Sequence, residues 1–421
     1  MAKRMRFILS TIMVIVAMTA KAQVTTSSLS GKVTDPDKEA IIGATVQAIH
    51  EPSGTRYGAI TNIDGRYTIQ GMRAGGPYSV EVSYIGYQTM MYKDVTLQLG
   101  EVYNLNVQMK ESSELLEEVV VTAQKTKFAS EKTGATTNIS NTQIASMPSV
   151  SRSITDYSRL SAYGGNGMSF AGSDGRTANF TIDGANFNNN FGLSSNLPGG
   201  GNPVSIEAID EIQIVISPFD VRQTNFIGGG INAITKSGTN TYKGTAYIYH
   251  QNENMRGDAI DRETILGARE KDQSTTYGFT IGGPIIKNKL FFFANGELQN
   301  TPAIANRWRA SEDGVANADA YISRATVADL QNVSDIAKER YGYDTGSFSS
   351  FPSDNKNTKL LARIDWNINN NHRLALRYNY TKNTVWNAPN ASSMDGGTRM
   401  SGSRTSQYAM SYANSMYSLD N

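Results

Sequence analysis

Cysteine is absent from the 421-residue chain, and histidine and tryptophan are scarce at three residues each. Without cysteine the chain can form no disulfide, no thiolate metal site and no thiol nucleophile. Secreted eukaryotic domains usually carry disulfides, so their absence favours a bacterial protein. The three histidines, His50, His250 and His372, lie far apart and form no His-Glu-x-x-His motif. We therefore expect neither an enzyme nor a metal site, and no cofactor.

Charge is also sparse and balanced. Charged residues make up 18% of the chain, and the formal net charge is +1. No basic cluster occurs beyond the N-terminus, so nucleic acid is not an expected partner. The 38 glycines and 21 tyrosines suit β structure with many polar loops rather than a helical bundle.

No apolar run reaches the ~20 residues that a membrane-spanning helix needs. The longest run, Phe7 to Met18, follows three basic residues and precedes the small-x-small pattern Ala20-Lys21-Ala22. This arrangement predicts a Sec signal peptide over residues 1–22, cleaved between Ala22 and Gln23. A buried N-terminal helix is the alternative. Any insertion into a membrane must then use a β-barrel.

Residues 23–110 consist of short alternating runs separated by turn signals, which predicts a β-sandwich. Four motifs, Gly31–Asp35, Gly43–Val46, Thr61–Ile69 and Tyr84–Tyr87, carry a resemblance to the carboxypeptidase regulatory-like (transthyretin-like) domain. In that family the domain is an accessory and not the peptidase.

Residues 111–125 contain a short hydrophobic stretch with strong strand propensity. No hairpin turn or neighbouring strand precedes or follows it, so we expect an extended segment whose edge is free to pair with another protein. An ordinary linker, or a last strand of the first domain, is the alternative. The residues of interest are Glu118, Val119, Val120, Val121, Thr122 and Ala123.

Residues 126–238 are rich in Gly, Asn and Ser, with a short helix predicted over Ile139–Met147. Their glycine runs lack the Gly-Lys-Ser/Thr ending of a phosphate-binding loop. Three segments, Thr181–Gly184, Ile206–Val215 and Gly229–Gly238, resemble the plug domain of TonB-dependent outer-membrane transporters. Phe219–Thr224 points to the Oar-like branch of that family.

The plug resemblance implies two sites. The family has its TonB box, the segment that binds the energy-transducing protein, where residues 118–123 stand here. A polar run inside the plug is a candidate substrate-facing loop because amides pair well with sugars and peptide backbones, although the sequence slightly favours a solvated loop without a ligand. Its residues are Asn186, Phe187, Asn188, Asn189, Asn190 and Phe191.

Residues 239–421 alternate between apolar and polar positions over runs of ~10 residues, and long and short connections alternate between the runs. A soluble sandwich shows the same alternation, but the unequal loops and the Arg, Asp and Asn on the polar faces favour a transmembrane barrel. A plugged barrel needs about 22 strands. We count about six, and therefore expect an N-terminal part or a truncated product. The predicted strands are 242–251, 275–283, 290–299, 358–368, 373–381 and 404–417.

The predicted fold is mostly β: a transthyretin-like or Ig-like sandwich, a mixed α+β plug and the first strands of an incomplete transmembrane β-barrel. The predicted domains are 1–22, 23–110, 111–125, 126–238 and 239–421. The resemblance implies energy-coupled uptake across the outer membrane of a Gram-negative bacterium. Its expected partners are a TonB-type inner-membrane protein, outer-membrane lipid and a substrate that is a carbohydrate, a peptide or a chelated metal. A secreted, non-transporting carbohydrate-binding or adhesion protein is the alternative.

Overall fold

The computed structural model describes most of the chain from residue 24 onwards. The described residues are 24–111, 119–122, 135–147, 149, 152–165, 167–188, 197, 202–216, 223, 227–255, 259–260, 263–264, 273–302, 309–317, 322–345, 354–369, 372–387 and 410–420.

The first domain is a sandwich of two sheets, because its strands alternate between buried apolar and exposed polar positions. One sheet has the order β4-β1-β7, with β8 also paired to β1, and the other has the order β3-β2-β5-β6-β9. Leu29, Val46 and Tyr78, each 0% exposed, lie in the core between them. The strands are β1 (Thr26–Thr34), β2 (Thr45–His50), β3 (Thr55–Ile60), β4 (Arg66–Arg73), β5 (Gly75–Ser83), β6 (Met90–Leu97), β7 (Val102–Asn104), β8 (Val107–Gln108) and β9 (Val119–Thr122).

The plug is built on a five-stranded mixed sheet of order β10-β13-β14-β11-β12, in which only β11 and β14 are parallel. Ser140 is the N-cap of α1. Every residue of β11 is buried, and β13 and β14 are mostly buried, so the sheet is covered on both faces. Its elements are β10 (Ala135–Ser140), α1 (Asn141–Ser146), α2 (Ile154–Tyr157), β11 (Asn179–Ile182), β12 (Ala185–Asn186), β13 (Ile209–Ile216) and β14 (Gly229–Thr235), with 3₁₀ turns at Ser158–Leu160, Gly175–Thr177 and Ile206–Ala208.

The remaining long strands form one antiparallel sheet, the wall, in which neighbours in sequence are neighbours in space. Connections alternate between tight turns, as between β18 and β19, and long loops, as between β19 and β22. The six wall strands are β15 (Lys243–Gln251), β18 (Ser274–Ile286), β19 (Leu290–Pro302), β22 (Asp354–Asn367), β23 (Arg373–Asn387) and β24 (Met410–Asp420).

The two faces of the wall reverse the pattern of a soluble sheet. Along β22, the apolar residues Leu360, Ile364 and Trp366 are exposed, whereas the charged residues between them are buried against the plug. A sheet with an apolar exposed face and a polar, covered face has the pattern expected for the wall of a transmembrane β-barrel. The predicted fold class is therefore confirmed.

Short elements occur in the long connections of the wall. The helix α3 (Val327–Tyr341), which Thr326 caps at its N-terminus and Gly342 at its C-terminus, is absent from the predicted elements. The short strands pair with each other: β16 (Ala259–Ile260) with β17 (Glu263–Thr264), and β20 (Arg309–Ser311) with β21 (Ile322–Thr326). Among the described residues, no helix is long and apolar enough to cross a membrane.

Candidate functional site

A buried carboxylate of the plug meets two arginines of the wall. Asp183 follows β11 in a left-handed turn, with φ of 49°, and its side chain is 2% exposed. Its carboxylate accepts hydrogen bonds from the backbone N–H of Thr235 at 3.0 Å and from the Thr235 hydroxyl at 2.5 Å. Arg363 of β22 and Arg377 of β23 approach the same oxygen at 3.7 and 3.6 Å. The plug thus carries a negative charge into a positive part of the wall.

Arg363 is the centre of this cluster because it binds both the wall and the plug. It donates to both oxygens of Asp365, two residues along β22, at 2.8 and 3.0 Å. Its Nη1 also donates to the carbonyl oxygen of Thr235 at 2.6 Å. Residues two apart on a strand share a face, which is why this strand places Arg363 and Asp365 together on its inner side.

A second buried cluster joins the plug to three wall strands. Glu297 of β19 accepts hydrogen bonds from Lys359 at 2.7 Å, from Tyr247 at 2.8 Å and from the plug residue Ser205 at 2.7 Å. Glu297 and Lys359 are 5% and 4% exposed. Buried charges persist only when they are paired and hydrogen-bonded, as these are.

Arg152 of the plug makes a third contact with the wall. Its guanidinium lies 3.7 Å from the ring centroid of Tyr249 and 3.3 Å from the carboxylate of Glu207. These residues and Lys236 line a cavity of about 270 Å³. The three contacts together attach the plug to the inner face of the wall.

The hydrophobic stretch 119–122 is strand β9, and it does pair within the chain. It lies parallel to β6, with Val119 opposite Met90 and Thr122 opposite Lys93. The expectation that it has no neighbouring strand is therefore wrong: one edge is occupied by the first domain. Among the described strands β9 is the last of its sheet, so its other edge has no strand partner there. Sequence periodicity could not show this, because the pairing joins residues about thirty positions apart.

Two residues of the asparagine-rich run, Phe187 and Asn188, contact other residues of the plug. Phe187 is 1% exposed and packs in the plug core. Asn188 accepts from the backbone N–H of Phe180 at 2.6 Å and donates to Asn179 at 2.7 Å. Within the described part of the run, only Asn186 is exposed.

Several predicted site residues lie outside the described residues. They are Ala22 and Gln23 of the signal cleavage site, Glu118 and Ala123 of the TonB-box segment, and Asn189, Asn190 and Phe191 of the polar run.

The buried histidine, His50, has a structural role. His50 ends β2, is 5% exposed and lies 2.6 Å from the hydroxyl of Ser53. Burial, reinforced by Arg73, lowers the pKa of His50 to about 3, so this imidazole is neutral. Within the part of the chain that the structure describes, no group of three acidic or histidine side chains could hold a metal ion.

Sequence reasoning did not identify the individual charges that hold the plug. Asp183 lies in the segment Thr181–Gly184 that resembles the plug domain, but the sequence of that segment does not identify the residues that Asp183 contacts. The available signal was that Lys359, Arg363 and Asp365 share one face of the strand, while the apolar residues Leu360, Ile364 and Trp366 lie on the other face. Such charges face a polar interior.

Two domain families match the chain. Residues 28–110 match the carboxypeptidase regulatory-like domain, and residues 234–311 match an outer membrane beta barrel domain. The TonB-dependent transporter Oar of Myxococcus xanthus is 27% identical over 227 residues, which are 51% of this chain and 19% of Oar. The chain thus spans about a fifth of the length of this curated relative.

Solved structures of outer-membrane proteins also align. The siderophore receptor PirA from Acinetobacter baumannii aligns with a TM-score of 0.37 and 20% identity, over 59% of this chain and 31% of PirA. The outer membrane transporter YddB from Escherichia coli aligns with a TM-score of 0.41 and 12% identity, over 60% of this chain and 33% of YddB.

The two domain matches and the alignment with Oar support the predicted resemblance to an Oar-like TonB-dependent receptor of the outer membrane. Oar is a transporter, in agreement with the prediction that the chain is not an enzyme.

Proposed function

We propose that the chain serves energy-coupled uptake of a substrate through a plugged outer-membrane barrel. In this proposal residues 1–22 direct export, the first domain and the base of the plug face the periplasm, and the plug blocks the lumen. A TonB-type protein of the inner membrane pulls on the segment 118–123, and the substrate then passes without covalent chemistry.

The seating of the plug against the wall is the observation that supports this proposal most directly. Buried ion pairs such as Asp183 with Arg363 hold a folded domain against the polar face of a sheet whose other face is apolar. Removing one member of a buried pair costs about 3–5 kcal/mol. A plug held by such pairs does not leave the lumen spontaneously, so opening requires work from outside.

In this proposal the partner protein binds strand β9 and applies the force there. Four consecutive residues, Val119 to Thr122, lie in extended conformation as the edge strand of the first domain's sheet, ahead of the plug in the sequence. An exposed strand edge allows a partner to add a strand through main-chain hydrogen bonds. The substrate class remains as the resemblance leaves it: a carbohydrate, a peptide or a chelated metal.

Deletion of Glu117 to Ala123 tests the coupling. We expect the deleted receptor to lose binding to a TonB-type C-terminal domain and to lose uptake, while binding of substrate at the outer face persists. The probe is whichever compound wild-type cells accumulate from a panel of labelled oligosaccharides, peptides and ferric siderophores.

The matched control exchanges Glu117 and Glu118 for Gln, which removes two charges but leaves the main chain of the strand intact. We expect this control to retain partner binding, since strand addition uses backbone groups. Uptake that persists in the deletion would exclude this segment as the coupling site. A receptor that accumulates no compound through a TonB-type protein would favour the non-transporting alternative.

A further inference from the structure

We propose that the carboxypeptidase regulatory-like domain is a latch that fixes the plug to the end of the wall and must release before the plug can move. This inference rests on the proposed function, since it assigns a role in plug opening to a domain that is otherwise an accessory. Three sets of contacts and the position of β9 support it.

The first set joins the domain to the plug through Leu99. This residue follows β6, is 0% exposed and packs with Ile234 of the plug. Its backbone N–H donates to Glu211 at 3.0 Å, and its carbonyl oxygen accepts from Asn138 at 3.1 Å. Gln213 donates to the same carbonyl oxygen. Both polar groups of one peptide residue are thus satisfied by the plug, which is the pattern of a built interface rather than a chance contact.

The second set joins the domain to the wall at the end where its short turns lie. The backbone N–H of Asn240 donates to the carbonyl oxygen of Pro52 at 2.8 Å, and Asn367 donates to the hydroxyl of Thr55 at 3.0 Å. The fit is close: a Cβ at Gly54 would overlap the side-chain amide of Asn288. Short turns of outer-membrane barrels lie on the periplasmic side. The domain therefore closes over the periplasmic end of the wall.

Arg373 strengthens this second set of contacts. It begins β23, directly after the short turn that joins it to β22. Its guanidinium donates to the carbonyl oxygen of Arg56 at 2.8 Å and lies 4.0 Å from the ring centroid of Tyr57. Stacking of a guanidinium on an aromatic ring adds to the hydrogen bond at the same point.

The third contact is electrostatic and spans all three parts of the molecule. Arg73 of the domain lies 3.5 Å from Asp365 of the wall. Asp365 is held by Arg363, which in turn faces Asp183 of the plug. The same charge cluster that seats the plug therefore includes the domain.

Strand β9 connects the latch to the pulling partner. It pairs with β6, and β6 ends at Leu97, two residues before Leu99. A force applied to β9 acts first on the hydrogen bonds between β9 and β6. Through β6 it then acts on the hydrogen bonds between the backbone of Leu99 and the plug. A pull on this strand thus loads the latch before it loads the core of the plug.

The absence of cysteine allows a direct test by cross-linking. Thr55→Cys and Asn367→Cys are introduced together into the receptor in lipid nanodiscs, and the two thiols are joined with a short bis-methanethiosulfonate reagent that dithiothreitol cuts. An immobilised TonB-type C-terminal domain then pulls on the receptor in a single-molecule force experiment. The matched control is Thr45→Cys with Ile60→Cys, which are cross-strand neighbours within the domain.

We expect the uncross-linked receptor and the cross-linked control to show a release step before plug unfolding. In the receptor cross-linked between residues 55 and 367 that first step should disappear, and dithiothreitol should restore it. Identical traces with and without the cross-link overturn the latch. So does a failure of this pair to cross-link while the control pair reacts. Failure of the TonB-type domain to bind any of these receptors would instead contradict the proposed coupling.

Discussion

At the scale of single residues, the most informative groups are charges placed where water is excluded. Glu211 is 7% exposed and holds the backbone of Leu99 with one carboxylate oxygen. Burial raises the pKa of Glu211 to about 7. The nearby carboxylates of Asp210 and Glu101 raise this pKa further, whereas the hydrogen bonds from Leu99 and Asn138 lower it. The junction between the first domain and the plug is therefore sensitive to pH.

A Glu211→Gln substitution should make this junction less sensitive to pH. Because the folded pKa is above the unfolded value, the stability that Glu211 contributes is present below pH 4.5 and is lost as the pH rises towards 7. Glutamine mimics the neutral acid, so the variant should match the wild type at low pH. Above pH 7 it should exceed the wild type by on the order of 1–3 kcal/mol. Denaturant unfolding of the detergent-solubilised protein across this pH range measures the difference.

The comparison between variant and wild type isolates Glu211. His50 works in the opposite direction, since its lowered pKa means that stability is lost as the pH falls below 6.5, but it contributes equally to both proteins. Glu39→Gln, at an exposed position of the first domain, is the matched control for the loss of one carboxylate. A constant difference between Glu211→Gln and wild type at all pH values would contradict the burial argument.

At the scale of elements, sequence periodicity predicts where strands occur but not which strands pair with each other. The first three wall strands begin and end within about three residues of their predicted bounds, because alternation of apolar and polar residues is a local signal. The last three deviate more: β22 begins four residues earlier than predicted, β23 ends six residues later and β24 begins six residues later. The helix α3 was missed because its fifteen residues have no buried face, and a weak amphipathic pattern does not stand out within a long polar loop. The pairing of β9 with β6 and the contacts of Asp183 depend on long-range packing that no local pattern encodes.

The pairing of β9 can be tested by hydrogen exchange. Replacement of Val119–Thr122 by Gly-Ser-Gly-Ser removes the strand but keeps the length of the chain. We expect faster exchange of those amides of Met90–Lys93 that point towards β9, because β6 becomes an edge strand. Amides of β2, which lies between β3 and β5, should be unchanged and serve as the internal control. Unchanged exchange in β6 would contradict the pairing.

At the scale of the whole molecule, three units are held together by one cluster of charges. The first domain supplies Arg73, the wall supplies Arg363, Asp365 and Arg377, and the plug supplies Asp183. Replacing a buried ion pair by apolar residues is often harmless, whereas removing one partner leaves a charge without compensation. The effect of single substitutions therefore reports whether the cluster is closed to water in the assembled receptor.

Arg363→Met should be severe because it leaves Asp183 and Asp365 buried with too few partners and removes the hydrogen bond to the carbonyl oxygen of Thr235. We expect a loss of about 3–5 kcal/mol in the stability of the seated plug. The matched control is Arg176→Met, because the pair of Arg176 with Asp174 is also close, at 2.6 Å, but about half exposed. Water screens such a surface pair, so this control should have little effect. Protease accessibility of the plug in a denaturant series measures both variants, and equal sensitivity of the two would mean that water reaches the cluster and that the plug is not seated by it.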